Sequence, residues 1–320
     1  MIEPGQGMVI FNPTAGARDV HRELQRVMGY LEECGWQLTL RETRSRGEAT
    51  AFAREAVTAG LRAVFVVGGD GTINEVVNGL VGSEVALGLL PSGTGNVWAL
   101  ELGLPIPSPV NWHPLLGAAK AMLAGHVRRV DVGRAGERHF LLWAGVGLDA
   151  AVTEQIEPRP RAKKRLGTLA YVIAAALVAK DFTGTRVEVT VDGQQVRARA
   201  ILIVVSNTQL YGRIVRIASQ ARLDDGLLDV CVFQGYGFPS AVRHAVRVLA
   251  GQHLRDPQVI YLQGRRVSIN AAQPLAVHMD GDPVGHTPLT LEIVPRALNI
   301  IAPAHVPEKL FQQEMDRLAQ

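Results

Sequence analysis

Two glycine-rich turns carry the residues whose types and spacing point most directly to chemistry. The first, GGDGT at residues 68–72, directly follows an apolar, β-branched run at 63–67. Apolar residues then recur at helical spacing over 73–80, with Asp70 or Thr72 as the candidate helix cap. This arrangement suits phosphate, because glycine lets the backbone approach an anion and a helix N-terminus offers unpaired N–H groups. The alternative is a tight strand-to-helix turn without a ligand.

The second turn, PSGTGN at residues 91–96, follows another apolar run and leads into another helical pattern. Turns at the carboxyl ends of neighbouring strands define a crevice, so the pair strengthens the phosphate interpretation. Neither turn contains the P-loop motif or the G-x-G-x-x-G dinucleotide fingerprint, and both of those nucleotide motifs are excluded.

Two further segments concentrate aspartates. A predicted strand at 275–279 delivers Asp280 and Asp282 into a turn, where a carboxylate could accept a proton from an attacking hydroxyl. An ordinary Asp-Gly turn is the alternative. The run ARLDDGLLDV at 221–230 offers carboxylate and carbonyl oxygens of the kind that hard cations prefer, against the alternative of a simple Asx-turn.

The elements that position these turns form two groups. In the first, buried-strand patterns alternate with helical patterns up to about residue 123, which predicts a largely parallel sheet. From residue 127 the pattern changes to short strands, with clean alternation at 186–191 and an Asp192-Gly193 hairpin turn, which predicts a β-rich, sandwich-like half. A helix over 240–249 interrupts it. The residues predicted to face inward on this helix are Val242, Ala245, Val246 and Leu249.

Bulk properties set limits on the class of protein. The 320 residues are 47% hydrophobic, enough for two cores, and carry a net charge of +3 that mildly favours anionic partners. Cys34 and Cys231 are too far apart in sequence to indicate a disulfide framework or a paired metal motif, which fits a reducing cytoplasm. The first residues lack the features of a secretory signal.

A basic cluster, RPRAKKR at 159–165, precedes an apolar stretch at 166–182. The stretch is shorter than the ~20 residues of a membrane span, and a buried helix is its plain interpretation. The cluster also suits docking on anionic lipid headgroups. Nucleic acid is ranked lower, because no basic-and-aromatic interleaving accompanies the cluster.

Taken together, FNPTAG at 11–16, GGDGT, PSGTGN and the late MDGD at 279–282 resemble the diacylglycerol kinase catalytic-domain family, which includes bacterial lipid kinases and the sphingosine and ceramide kinases. Their order and spacing match over nearly the whole chain. The resemblance implies an α/β fold with a Rossmann-like nucleotide domain at 1–126, to which 303–320 return, and a β-sandwich-like lipid domain at 127–302. It implies an ATP-dependent lipid kinase with its site in the cleft between them.

The resemblance also assigns roles to individual positions. Asp280 and Asp282 match the motif that supplies the proton acceptor, and Asp70 and Asp131 match a carboxylate and Mg²⁺ network. A second, structural Mg²⁺ would be held by the Asp225 side chain with the carbonyls of Arg222 and Leu227. The positions matching the family's nucleotide contacts are Asn12, Thr43, Gly69, Asp70, Gly71, Thr72, Asn74, Glu75, Ser92, Thr94 and Asn96.

Two departures from the family pattern bear on these roles. Val97 stands where the family has an aspartate of the metal network, and Asp282 stands where it has a glutamate. An NAD kinase shares GGDGT but not the PSGTGN turn or the 221–230 motif. A non-catalytic lipid-binding protein of the same fold is the other alternative, and Val97 favours it. The identity of the lipid alcohol is left open, as is a homodimer.

Overall fold

The computed structural model describes residues 2–16, 18–108, 111, 113–156, 183–213 and 215–312. The chain divides into two compact units. The first comprises Met1–Val132, Leu223–Asp225 and Pro295–Gln320, and the second comprises Gly133–Arg222 and Gly226–Val294. Residues 127–132, 223–225 and 295–302, which the predicted boundaries assign to the second domain, thus group with the first unit. The basic cluster at 159–165 lies outside the described residues.

The first unit is built from alternating strands and helices, as the sequence predicts. Its strands are β1 (Gln6–Phe11), β2 (Gln37–Glu42), β3 (Ala63–Gly68) and β4 (Ala86–Pro91). Its helices are α1 (His21–Glu33), α2 (Glu48–Thr58), α3 (Asp70–Leu80), α4 (Val97–Glu101) and α5 (Pro114–Leu123). The strand β5 (His126–Ala135) follows and continues into the second unit.

The strands of the first unit form a parallel sheet in the order β2-β1-β3-β4. Every residue of β3 and β4 is buried, as expected for apolar strands covered on both faces of a parallel sheet. The chain passes from β1 outward to β2 and then returns to the other side of β1. The carboxyl ends of β1 and β3 therefore flank a topological switch point, the usual ligand position in open α/β sheets.

The second unit is dominated by antiparallel strands. They are β6 (Arg138–Phe140), β7 (Trp143–Gly147), β8 (Thr185–Val191), β9 (Gln194–Ser206), β10 (Leu210–Tyr211), β11 (Val215–Arg216), β12 (Leu228–Gln234), β13 (Val259–Gly264), β14 (Arg266–Ala271), β15 (Ala276–Met279), β16 (Asp282–His286) and the first part of β17 (Leu289–Ala302). Its α-helices within the described ranges are α6 (Leu148–Ile156) and α7 (Gly237–Leu249).

Side-chain alternation along these strands builds the second core. In β8 the buried residues alternate with more exposed ones, and Val187, Val189 and Val191 join a cluster that includes Ile203 and Val230. The predicted hairpin turn is confirmed, because Asp192 and Gly193 both have positive φ and connect the antiparallel strands β8 and β9.

The prediction for the inward face of α7 is wrong. Val242, Ala245, Val246 and Leu249 are exposed, whereas His244 is buried. The His244 ring packs edge-on against Phe233, with centroids 5.3 Å apart, and its Nε2 lies 2.6 Å from the carbonyl oxygen of Gln234. The polar side of the helix therefore faces the protein, because it supplies partners for groups that the sheet buries.

Candidate active site

Three loops at the carboxyl ends of β1, β3 and β4 pack backbone against backbone. A Cβ at Gly93 would lie 2.4 Å from the Cα of Gly69, and a Cβ at Gly16 would lie 2.2 Å from the carbonyl oxygen of Ser92. Contacts this short exclude a side chain at either position, so glycine is required where the loops meet. The structure thus brings both glycine turns and the early FNPTAG loop together.

Hydrogen bonds tie the loop after β1 to the first turn of α3. Asn12 donates its Nδ2–H to the Oγ1 of Thr72 (2.9 Å) and accepts the backbone N–H of Thr14 at Oδ1 (3.0 Å). At the end of β2, the backbone N–H of Thr43 donates to the carbonyl oxygen of Phe11 (2.8 Å). Asn12, Thr43 and Thr72 therefore belong to one connected set of loops.

The start of α3 differs from the sequence prediction. Its N-cap is Gly69 and no side chain caps it, so the assignment of Asp70 or Thr72 as its cap is wrong. Thr72 is the acceptor for Asn12, and Asp70 accepts the backbone N–H of Trp98 at Oδ1 (3.2 Å), at the start of α4. The N-cap residue of α3 thus offers no side-chain acceptor to the first turn, which suits a helix start that receives an anion.

Gly71 lies in this uncapped first turn and opens on free space. A Cβ at Gly71 would meet none of the described heavy atoms within 4 Å, and its φ lies outside the left-handed region. The fold therefore does not require glycine at this position. Free space beside an uncapped helix start is what a phosphate group would occupy.

The PSGTGN turn is held rigid by its own asparagine. Asn96 has φ 52° and is 1% exposed; its Oδ1 accepts the N–H of Gly93 (3.0 Å) and its Nδ2–H donates to the Gly93 carbonyl (2.7 Å). Thr94 is exposed at the tip. The Oγ of Ser92 is buried and has no hydrogen-bond partner within the described ranges. A buried hydroxyl in this condition is the mark of a missing ligand or water.

Asp70 is the carboxylate closest in sequence to these loops, and its environment is unusual. Burial raises the pKa of Asp70 above its ordinary value, and backbone N–H groups including those of Val97 and Trp98 partly offset that effect. Val97 itself is 5% exposed and packs in the core. The position where the family has an aspartate therefore contributes apolar packing here and no ligand oxygen.

Two predicted nucleotide residues have structural partners on α3. Glu75 accepts the backbone N–H of Gly47 at Oε2 (2.9 Å) and so holds the start of α2. Asn74 is buried, and its side-chain Oδ1 accepts the Nδ2–H of Asn78 (3.3 Å). These contacts give both side chains a packing role, and their part in nucleotide binding stays a prediction.

The predicted metal residue Asp131 is held by backbone groups. Asp131, on β5, is fully buried; it accepts the backbone N–H of Arg296 at Oδ1 (2.7 Å), and its own N–H donates to the carbonyl of Leu223 (2.6 Å). Over the described part of the chain, no three His, Cys, Asp or Glu residues form a group that could hold a metal ion. The assignment of Asp70 and Asp131 to one Mg²⁺ network therefore stays a prediction.

The aspartates of the 221–230 motif have three different environments. Asp224 is buried and accepts the backbone N–H of Gln312 at Oδ1 (2.7 Å), which anchors the chain end. Asp225 is partly buried beside Gly226, whose φ is 72°. The Asp225 side chain with the carbonyls of Arg222 and Leu227 remains the predicted cation site of this loop.

The third aspartate, Asp229, lies inside the second unit on β12. It is 0% exposed; its Oδ1 accepts from the hydroxyl of Tyr261 and from the Nε2–H of Gln263 (3.0 Å), and its Oδ2 has no hydrogen-bond partner among the described residues. Burial raises the pKa of Asp229 to about 6, against the smaller opposing effect of these two hydrogen bonds.

This environment predicts a pH-dependent stability. The folded state holds the Asp229 proton more tightly than the unfolded state, in which the pKa is near 3.8, so its stabilising contribution is complete below pH 3.8 and disappears as the pH rises through about 6. The loss is about 3 kcal/mol. Asp229→Asn should remove this part of the pH dependence, measured by urea unfolding of both proteins from pH 4 to 8. If the free energy of unfolding changes with pH equally in the two proteins, the assignment to Asp229 is contradicted.

The DGD turn joins β15 to β16, with Asp280 at φ 50° and Gly281 at φ 84°. Both carboxylate oxygens of Asp280 are occupied: Oδ2 accepts the N–H of Leu141 (2.8 Å), and Oδ1 accepts those of Leu142 (2.9 Å) and Trp143 (3.1 Å). Asp280 therefore fastens the turn to the segment before β7. It has little capacity left to accept a substrate proton.

Asp282 has a different environment at the first position of β16. Its Oδ2 accepts the Nη2–H of Arg138 (2.8 Å), and its side chain is 29% exposed. Its partial exposure makes this carboxylate reachable from solvent. Which of the two aspartates accepts the substrate proton stays a prediction.

A buried His–Asp pair supports the same turn, and sequence reasoning missed it. His278 lies on β15 and is 2% exposed, with its Nε2 bonded to the Oδ2 of Asp149. Its Nδ1 accepts the N–H of Gly281 (3.3 Å). Burial raises the pKa of Asp149, but the charge and hydrogen bond of His278, with a bond from Tyr211, outweigh it and hold the pKa below its ordinary value.

Gly145 makes this pair sterically feasible, because a Cβ there would lie 2.2 Å from His278 Nε2 and 2.4 Å from Asp149 Oδ2. The sequence signal is only that His278 stands two residues before the DGD turn. Its partner lies 129 positions away, and no local spacing indicates it.

Comparison with known proteins identifies the family of both parts of the chain. The family model of the diacylglycerol kinase catalytic domain matches residues 6–135, and that of the YegS C-terminal NAD kinase beta sandwich-like domain matches residues 143–302. The fold class predicted from the sequence is thereby confirmed.

Relatives cover nearly the full length. A diacylglycerol kinase of Bacillus subtilis (strain 168) is 30% identical over 94% of this chain and 98% of its own, and one of Staphylococcus carnosus (strain TM300) is 27% identical over 96% and 98%. A crystal structure of a diacylglycerol kinase from Bacillus anthracis (strain Sterne) has a TM-score of 0.74 at 26% identity, over 93% of this chain and 97% of that one. The chain therefore belongs to the diacylglycerol kinase family.

Proposed function

We propose that this protein is a lipid kinase that transfers the γ-phosphate of ATP to the hydroxyl of a lipid alcohol. The observation that carries the proposal is the open position at Gly71, beside an uncapped helix start and the packed Gly69–Gly93 turns. These features lie at the switch point of a parallel sheet, where α/β proteins bind nucleotides. The buried, unpartnered Ser92 hydroxyl also fits an anionic ligand.

The residues fit a nucleotide with Mg²⁺ through one carboxylate. Mg²⁺ commonly takes one or two carboxylates from the protein and its other ligands from phosphates and water. Asp70 is the residue that would hold it at the phosphate turn. When bound, Mg²⁺ neutralises the charge that develops on the transferred phosphoryl group.

The acceptor side of the reaction is assigned to the DGD turn. A lipid hydroxyl is a poor nucleophile. In kinases a carboxylate commonly acts as the general base that accepts the hydroxyl proton during attack. Asp282 has that role in our proposal, while Asp280 fixes the turn through its three backbone hydrogen bonds. The proposal requires that this turn act on the phosphate bound at residues 69–72.

A turnover assay tests the proposal. The protein is incubated with ATP and Mg²⁺ against a panel comprising diacylglycerol, phosphatidylglycerol, a sphingoid base and NAD, with a metal-depleted control. Because the relatives are named diacylglycerol kinases, diacylglycerol is the expected acceptor. Phosphorylation of NAD alone would identify an NAD kinase. Lipid binding without any turnover would identify the non-catalytic alternative, which the apolar Val97 favours.

The lipid substrate leads us to propose a cytoplasmic protein that associates peripherally with anionic membranes. Within the described ranges, no helix has the length and apolar character to cross a bilayer. The basic cluster at 159–165 remains a predicted contact with headgroups.

A further inference from the structure

The outward side of α7 and the loop before it form an apolar surface, here called the α7 face. It consists of Tyr236, Phe238, Val242, Val246 and Leu249, which are 62%, 44%, 44%, 60% and 69% exposed. They make up five of the seven large hydrophobic residues that are exposed in the described chain. The four helical residues follow one another at intervals of four, four and three, so they share one side of the helix.

Buried polar contacts fix α7 in this orientation. Asp256, whose side chain is 0% exposed, accepts the Nη2–H of Arg243 (2.7 Å) and lies 3.3 Å from the Nε of Arg247. His244 lies against Gln234 and Phe233. Turning the apolar residues inward would leave the Asp256 carboxylate buried without its partners, which costs more than the apolar burial would return. The α7 face is therefore held toward solvent.

Charge around the α7 face identifies its occupant. Residues 235–255 contain Arg243, Arg247 and Arg255 and no Asp or Glu. Arg243 and Arg247 keep 39% and 40% of their side chains exposed beside the face. At the other end, Arg199 lies over the ring of Tyr236, 5.3 Å from its centroid. With Asp256 included, residues 235–256 still carry three Arg against one Asp, and apolar and aromatic residues beside a net positive charge are typical of helices that lie in an anionic membrane interface.

We propose that the α7 face docks this protein on the surface of an anionic lipid bilayer. The inference rests on the proposed function, because a lipid kinase must reach a substrate that is dissolved in a membrane. It assigns the docking to residues other than the 159–165 cluster. Binding should fall with increasing salt, because part of the attraction comes from exposed arginines.

Vesicle co-sedimentation of the full chain tests the proposal. The probe is a vesicle of phosphatidylglycerol and phosphatidylcholine, compared with phosphatidylcholine alone. The test variant is Val246→Gln with Leu249→Gln, and the matched control is Leu40→Gln with Val127→Gln, two apolar residues that are each 42% exposed elsewhere. We expect the test variant to bind vesicles with an affinity at least about tenfold lower than that of wild type. The control should bind as wild type does. Unchanged thermal unfolding shows that each variant is folded.

Three results would overturn the proposal. Equal vesicle binding by the test variant and wild type is the first. Loss of binding only when Arg161, Lys163, Lys164 and Arg165 are replaced by Gln would move the docking to the basic cluster. A wild-type dimer that the test variant dissociates, with vesicle binding unchanged, would make the α7 face a contact between two copies. Vesicle binding needs no ATP, so the two proposals can fail separately. Vesicle binding that depends on α7, in a protein without kinase turnover, would contradict the proposed function and support the docking proposal.

Discussion

Asp282→Asn should lower lipid phosphorylation by about 10²-fold or more, because a positioned general base contributes roughly that much. Its side chain is partly exposed and pairs with the partly exposed Arg138, so the substitution should leave thermal unfolding and ATP affinity near those of wild type. Steady-state kinetics with a lipid acceptor and ATP binding by calorimetry measure the two effects separately.

Asp280→Asn should act differently. The amide would replace one of the two acceptor oxygens with a donor opposite backbone N–H groups, which should destabilise the protein by about 3 kcal/mol. Arg138→Gln is the control for the ion pair and should keep turnover within a few-fold of wild type. Full activity of Asp282→Asn, together with an inactive but stable Asp280→Asn, would reverse the assignment of the two aspartates.

Gly71→Asp should abolish ATP binding, with affinity lowered by about 10²-fold or more, because it places a negative charge where the phosphates are proposed to lie. The fold should tolerate the change, since a side chain at Gly71 meets free space and its φ is ordinary. An acidic residue in the first turn is also favourable for a helix.

Gly71→Ala isolates the steric part of this effect. It should raise the free energy of unfolding by about 0.5–1 kcal/mol, as alanine does for glycine in a helix, while it weakens ATP binding. Gly93→Ala is the structural control and should lower stability, because its Cβ would lie 2.4 Å from the Cα of Gly69. Wild-type ATP affinity in a folded Gly71→Asp protein would exclude phosphate from this turn.

Local sequence was sufficient to predict the strand and helix series, both glycine turns and the Asp192-Gly193 hairpin. Each of these features depends on residues that are close together in the sequence. Glycine permits positive φ or a close backbone approach, and apolar side chains that repeat every two or 3.6 residues indicate a strand or a helix. The motif order was likewise sufficient to predict the family. None of these conclusions requires knowledge of which distant segments meet.

Pairing across the fold decided what each side chain does. Asp70 accepts a backbone N–H at the start of α4, and Asp280 accepts the backbone N–H groups of Leu141, Leu142 and Trp143, which lie more than 130 positions earlier in the sequence. His278 finds Asp149 only because β15 lies beside β7, from which α6 continues. Periodicity predicted the helix α7, but the buried Asp256 selected the side that faces inward. Sequence spacing determines the conformation of a segment, whereas its partners depend on topology and on the buried charges that must be satisfied.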